Sequence, residues 1–306
     1  MAILTEVWDT RRLRLLVEVG RRGSLSAAAR QINLSQPAAS EHFRRLESAA
    51  GQPLAERTGR GLRLTGAGKV LAYHASQALS SLEAAQEYLD AYSGLRTGTL
   101  RLGSTPVPGT YILPNAIARF RRRFPEISID VDIATTHDVI RSLKAGSVQL
   151  ALVCTEVEEE DILTEPFAPD EIVACAAPGL IPETAPSPPT TWLAGQTLLA
   201  REEGSSSGIR VQALCEKLSI RWGRVWTLQS IEAIKQAAQM GLGVGFLSRA
   251  TIVDELQRGV LAVVDLGTPI GMLGSFSTAH LKYRRLTPTE RAFCALLASS
   301  VQGAEV

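Results

Sequence analysis

Apolar residues recur along this chain in three rhythms, and each predicts a different kind of element. Over residues 24 to 46 (SLSAAARQINLSQPAASEHFRRL), Leu25, Ala28, Ala29 and Ile32 fall at i, i+3, i+4 and i+7, one face of a helix. Ser24 stands where that helix needs a cap, and Ser35, with Pro37 in the first turn, does the same for a second helix. On the second helix Ala39, Phe43 and Leu46 form one stripe, while Gln36, Pro37, Ser40, Glu41 and Arg44 form the opposite one. From Lys69 to Gly94, Leu71, Ala75, Ala78, Leu82, Ala85, Leu89 and Tyr92 repeat at alternating steps of four and three. That is a heptad seam, which keeps one stripe facing a partner helix.

From Thr99 the rhythm changes to short apolar runs alternating with helical stretches. TLRLGS, ISIDVDI and QLALV read as strands, separated by helices in YILPNAIARFRRRF and HDVIRSLKAG. A second unit runs through EIVACAA, TLLA, a helix from about Gly208 to Leu218, RVWTL, a helix from Ser230 to Met240, and GVGFLS. IGMLGSFST and the helix TPTERAFCALLASS then return to the first unit. The expectation is two α/β lobes of mostly parallel strands, crossed near Ala168 and Leu266, with a cleft between them.

The two paired helices form a helix-turn-helix pattern, whose natural partner is duplex DNA. The major groove admits one helix, whose N-terminal residues reach base edges while nearby cations meet phosphates. Ser35, Gln36, Pro37 and Ser40 suit the first task, and Arg44 and Arg45 the second. Residues 53 to 69 (PLAERTGRGLRLTGAGK) set Arg57, Arg60 and Arg63 around two glycines, as a β-wing along a phosphate backbone requires. The charge agrees: residues 1 to 69 hold 12 Lys and Arg against 6 Asp and Glu, and the other 237 hold 20 against 25. A basic module is joined to a mildly acidic one. Two copies bound to paired half-sites need a fixed spacing, which the seam helix would supply.

The run from Arg11 to Leu71, with AAARQINLSQPAAS, RRLE and ERTGRGLRLTGAGK, resembles the N-terminal module of LysR-type transcriptional regulators, and the layout of the rest follows that family. The resemblance implies an α+β multidomain chain. Residues 1–66 would be a winged helix-turn-helix and 67–95 a linker and dimerisation helix. Residues 96–306 would be a two-lobed effector-binding domain resembling periplasmic binding proteins, with lobe I at about 96–168 and 267–306 and lobe II at about 169–266. It further implies a regulator of promoter DNA that acts as a homodimer, pairing further to a homotetramer, and answers a small organic anion. AIKQAAQMGLGVGFLS and REEGSSSG look similar to regulators of carbon-fixation and sulfur-assimilation operons. Many members carry Arg or Gln where this chain has Glu41 and His42, and Phe where it has Ala55. Glu41 on the groove stripe repels phosphate but can accept a hydrogen bond from cytosine N4.

Open α/β sheets bind ligands beyond the carboxyl ends of their strands, where helix N-termini offer unpaired N–H groups. Ser104 and Thr105, Thr135 and Thr136, Glu203, Ser205 and Ser206, and Gln229 and Ser230 occupy such positions. Helix capping alone accounts for Ser and Thr there as well. The family's pocket lies between the lobes, which points most directly to Thr105, Thr136 and Ser205. Arg201 is expected to be an exposed strand-end residue, and His137 is the histidine placed to touch a ligand.

Enzymatic readings are weaker. Gly204-Ser205-Ser206-Ser207-Gly208 matches a hydrolase nucleophile pattern, followed by Asp265 and His280, but Arg201-Glu202-Glu203 intervenes between strand and serine. Gly241, Gly243 and Gly245 follow a helix and precede a strand, the reverse of a dinucleotide loop. Cys154, Cys175, Cys215 and Cys294 are dispersed, which predicts no metal site and buried apolar packing. No cofactor is expected. No apolar stretch approaches 18 residues and the N-terminus has no secretion pattern, so the expectation is a soluble cytoplasmic protein without membrane contact. A constitutive architectural DNA-binding protein is the competing reading.

Overall fold

The computed structural model describes residues 8–59, 61–91, 98–154, 157–182, 189–202, 206–217, 219–266 and 273–301. The N-terminal head begins with α1 (Thr10–Arg22), capped by Asp9, whose carboxylate accepts from the Arg12 amide at 2.8 Å. It continues with α2 (Leu25–Gln31) and α3 (Gln36–Ala50). The Ser24 and Ser35 hydroxyls accept from the Ala27 and Ala38 amides, so both helices start where local chemistry specifies. Between them Asn33 takes a left-handed φ of 54°, which asparagine tolerates better than most residues. Leu15, Leu16, Val19, Ala28, Ala29, Ala39, Phe43 and Leu46 close a common core.

Strands β1 (Ala55–Thr58) and β2 (Gly61–Leu64) pair antiparallel as a wing. The Leu62 amide donates to the Gly23 carbonyl at 2.7 Å, pinning the wing to the end of α1. Gly61 has φ 142°, and a Cβ there would stand 2.5 Å from the same carbonyl oxygen, so both backbone and space require glycine.

Helix α4 (Gly66–Ala91) leaves the head and lies along the next domain. Gln77 Nε2 donates to the Lys144 carbonyl at 3.0 Å, Gln149 Nε2 to Ser80 Oγ at 3.2 Å, and the Tyr88 hydroxyl to the Leu286 carbonyl at 2.7 Å. Glu83 accepts from Arg14 of the head at 3.0 Å and from Arg101 of the effector domain at 2.7 Å.

That domain contains β3 (Gly98–Ser104), α5 (Leu113–Arg123), β4 (Ile127–Ile133), α6 (Thr136–Lys144), β5 (Leu150–Val153) and the 15-residue β6 (Ile162–Ala176). It continues through α7 (Pro189–Leu193), β7 (Thr197–Ala200), α8 (Ser206–Lys217), β8 (Arg224–Thr227), α9 (Ile231–Gln239) and β9 (Val244–Ser248). The last elements are α10 (Val253–Gln257), β10 (Ala262–Val263), β11 (Leu273–Leu281) and α11 (Pro288–Val301). Among the described residues one nine-stranded sheet runs in the order β4-β3-β5-β11-β6-β9-β7-β8, with β10 on β6.

Two strands join the lobes. β6 pairs with β11 from Ile162 to Glu171 and with β9 from Ile172 to Cys175. The expected parallel pairing holds inside each lobe, for β3 with β4 and β5 and for β7 with β8 and β9, whereas β6 and β11 run antiparallel to their neighbours. The first half of β6 was not legible as a strand because it contains Pro166 and Pro169. Along that half it pairs with β11 alone, so the missing N–H groups break no second ladder.

Lobe I packs Leu100, Leu102, Phe120, Leu150, Leu152 and Phe293 on one sheet face and Val139, Leu143, Val153 and Leu281 on the other. Lobe II does likewise with Phe246, Leu198 and Leu214, and with Ile234, Leu199 and Leu261. Phe120 is fully buried, its ring 5.4 Å from that of Phe293. Phe120→Ala is expected to cost about 3–5 kcal/mol, read as a lower urea midpoint for the effector-domain transition; an unchanged midpoint would show that this pair does not hold lobe I together.

Candidate DNA interface and effector cleft

On the head, Gln36 and Pro37 are exposed in the first turn of α3, Ser40 is half-buried one turn on, and Ser35 is occupied as the cap. Glu41 sits on the same stripe and holds both neighbouring arginines, Arg45 at 2.8 Å and Arg44 at 3.3 Å. The phosphate-facing cations expected on α3 are therefore tethered to a carboxylate on their own helix. The Arg45 hydrogen bond, followed by the charge of Arg44, holds the Glu41 carboxyl below its ordinary value, so it stays ionised at neutral pH. His42 faces the other way, its Nδ1 accepting from Arg12 Nε of α1 at 3.3 Å. On the wing, Arg57 is exposed, Arg63 bonds Glu56 across the strand pair at 2.8 Å, and Arg60 lies outside the described residues.

The heptad seam divides in two. Leu71 packs on the head core and Ala75 is buried within its own chain. Ala78 and Ala85 are exposed, Leu82 and Leu89 are 57% and 63% exposed, and Tyr92 lies outside the described residues. The far part of the seam is thus an apolar stripe that the described residues leave uncovered.

Between the lobes lies a cleft of about 530 Å³. Lobe I contributes Thr105, Thr135, Thr136, His137 and Cys154, and lobe II contributes Arg201, Glu202, Arg210, Phe246, Ser248 and Thr251, with Asp170 and Ile172 on the crossing strand. Thr135 also caps α6, its hydroxyl accepting from the Asp138 amide. Ser104 does not line the cleft: it is fully buried, and its hydroxyl donates to the Thr105 carbonyl at 2.9 Å. Ser230 caps α9 through the Ala233 amide and is not among the lining residues. Ser206 opens α8, while Glu203 and Ser205 lie outside the described residues.

Arg201 corrects an expectation. Its side chain is 13% exposed and lines the cleft, forked onto Glu202 at 2.7 and 2.6 Å. That pairing holds the Glu202 carboxyl below its ordinary value. Sequence reasoning missed Arg210, Asp170 and Ser248. Asp170, 2% exposed, accepts from Arg210 Nη2 at 2.8 Å and from Ser248 Oγ at 2.6 Å. These residues sit inside α8, at the crossing of β6 and on the last position of β9, and no local pattern marks them.

The four cysteines are free thiols. Burial pushes Cys154 up to about 11, and Cys175 and Cys294 to about 12, so none of these three is a thiolate at neutral pH. His280 is buried on β11 with Nδ1 against the Leu281 carbonyl, and Asp265 follows β10, so the lookalike hydrolase residues are spread over separate elements. Among the described residues no cluster of His, Cys, Asp or Glu is placed to hold a metal ion, and no helix is long and apolar enough to cross a membrane.

Residues 10–69 match the family described as "Bacterial regulatory helix-turn-helix protein, lysR family", and residues 93–302 match "LysR substrate binding domain". The chain is 34% identical over 258 residues to a probable RuBisCO transcriptional regulator of Trichormus variabilis, covering 81% of this chain and 76% of that one. A full-length OxyR variant from Pseudomonas aeruginosa shares the fold, with a TM-score of 0.72 at 23% identity over 96% of this chain and 94% of that one. The regulatory domain of Synechocystis PCC6803 CcmR, solved in complex with 2-PG, matches with a TM-score of 0.57 at 27% identity over 68% of this chain and 99% of that one.

Glu41→Gln is expected to release Arg44 and Arg45, tighten DNA binding and steepen the slope of log affinity against log salt by about one to two. An unchanged slope in a salt titration would show that both arginines already reach phosphate past Glu41.

Proposed function

This chain belongs to the LysR family of DNA-binding transcriptional regulators, and we propose that it is a cytoplasmic homodimer, pairing further to a homotetramer, that controls a carbon-fixation promoter in response to a small anion. The observation that carries this reading is the cleft, where the hydroxyls of Thr105, Thr135 and Thr136 and the imidazole of His137 on one lobe face Arg201 on the other. Thr136 and His137 in the first turn of α6, together with a guanidinium from the other lobe, suit a carboxylate or phosphate. The likeness to RuBisCO regulators and to a domain solved with 2-PG supports a phosphorylated carboxylate.

At the operator, Gln36, Pro37 and Ser40 read base edges from α3, while Arg57, Arg60 and Arg63 of the wing hold phosphates. The exposed stripe of Leu82, Ala85 and Leu89 packs against the same helix of a second copy and sets the spacing of two heads. Ligand acts by favouring one arrangement of heads over another, which requires unequal affinity for the two.

DNase footprinting on a carbon-fixation promoter, with a panel including 2-phosphoglycolate and 3-phosphoglycerate, tests the whole reading. A protected length or bend that changes with one compound is the expected result; protection indifferent to every compound favours the architectural binder. Within the head, Gln36→Ala should relax preference at one base pair, whereas Arg57→Ala should weaken all sequences and flatten the salt slope by about one. Identical losses for both would overturn that division of labour. Leu82→Glu with Leu89→Glu should shift the chain toward monomer in sedimentation velocity, and an unmoved profile would place the dimer contact elsewhere.

A further inference from the structure

Apart from the crossing strands, one side-chain contact beside the cleft ties the lobes together. After Val107, which lines the cleft, the chain makes a π-helical turn, Pro108–Ile112, rather than entering α5 directly. Such turns redirect side chains and often mark functional positions. This one is pressed against β4: a Cβ on Gly109 would stand 2.9 Å from Ile133 Cδ1 and 3.1 Å from Ser104 Oγ, so glycine lets the turn seat.

The turn carries Tyr111 across to α9 of lobe II. The Tyr111 hydroxyl donates to Glu232 Oε2 at 3.4 Å, and Lys235 Nζ stands 5.3 Å from the centre of its ring. Lys235 is 4% exposed and is fixed from below by Glu255 at 2.8 Å and from the rim by Glu232 at 3.1 Å. Arg258 approaches Glu255 from the far side at 3.6 Å. A cation held in place and partly out of water gains more from an aromatic face than a solvated lysine does. Ile231, in the first turn of the same helix, lines the cleft as Val107 does, so the contact bridges the lobes next to the ligand space.

We propose that Tyr111, Lys235 and Glu232 form an inter-lobe clasp that gates the cleft, holding the lobes together without ligand and setting how often an effector enters or leaves. The reading rests on the cleft being the effector site, but the clasp itself is tested without any effector. The partner it recognises is the other lobe of the same chain: an aromatic ring with a hydroxyl on one side, a lysine flanked by carboxylates on the other.

Nitroxides attached to a ketone-bearing amino acid at Glu158 of lobe I and Gln257 of lobe II, both exposed, report lobe separation by double electron–electron resonance. Full-length chain diluted with unlabelled chain removes distances between copies. The expected result is one dominant distance in the parent, shorter than that of the separated population. Tyr111→Ala should raise the separated population about three- to thirtyfold, with a smaller rise in Tyr111→Phe, which keeps the ring. Glu232→Ala, which leaves lobe I untouched, should act in the same direction if Tyr111→Ala fails to fold. Superposable distributions in parent and variants, or a parent already separated, would overturn the clasp. An altered distribution beside a ligand-indifferent footprint would instead sink the effector reading and leave the clasp standing.

Discussion

The effector domain is built around one paired position on its two crossing strands. Asp170 of β6 lies opposite Gly274 of β11, where the sheet passes from one lobe to the other. A carboxylate buried as deeply as Asp170 is tolerable only with its charge met, and it is met twice, by Arg210 from α8 and by Ser248 from β9. Gly274 completes the arrangement. A Cβ there would stand 2.0 Å from Arg210 Nη1, so the guanidinium lies over bare backbone. This interaction fixes the cleft floor, orients α8 and anchors lobe II to the strands about which it can turn.

The DNA-reading head solves an opposite problem, since its charges must stay available. Its surplus of cations is real, yet Glu41 occupies Arg44 and Arg45, and Glu56 occupies Arg63. These are exposed pairs, worth little in water and easily exchanged for a phosphate partner. If Gln36 and Ser40 read bases as proposed, a head whose arginines begin on carboxylates relies on them more heavily to hold a site.

What was legible in the sequence follows from how local the causes are. Caps at Ser24, Ser35 and Thr135, the buried stripe of Ala39, Phe43 and Leu46, and the parallel runs of each lobe are written in short-range patterns. The exposed positions of α3, Gln36, Pro37 and Arg44 among them, were readable for the same reason, because a helix wheel separates core from solvent. The cleft was half legible. Thr105, Thr135 and Thr136 sit at strand ends, where topology predicts ligands, and they line it. Arg210, Asp170 and Ser248 come from sites about 40 and 78 residues apart, joined by one buried charge pair that no spacing announces. Arg201 was misplaced because strand-end arginines usually face water, and only the fork onto Glu202 turns this one inward.

The route from ligand to DNA is constrained by where α4 attaches. Bonds from it to the effector domain go to Lys144, Gln149, Tyr283, Leu286, Thr289 and Arg101, each in lobe I, while Glu83 carries Arg14 of the head on its other oxygen. Head, linker helix and lobe I of one chain are thereby tied as a unit. Lobe II joins that unit through β6, β11 and the contacts across the cleft. A ligand between the lobes, as proposed, changes first how lobe II sits on lobe I, and none of these bonds carries that motion directly to α4 of the same chain. The displacement of lobe II must instead be read by whatever packs against it. If the heads act in pairs as proposed, that reader is another copy, and the response to effector then belongs to the assembly and not to the single chain.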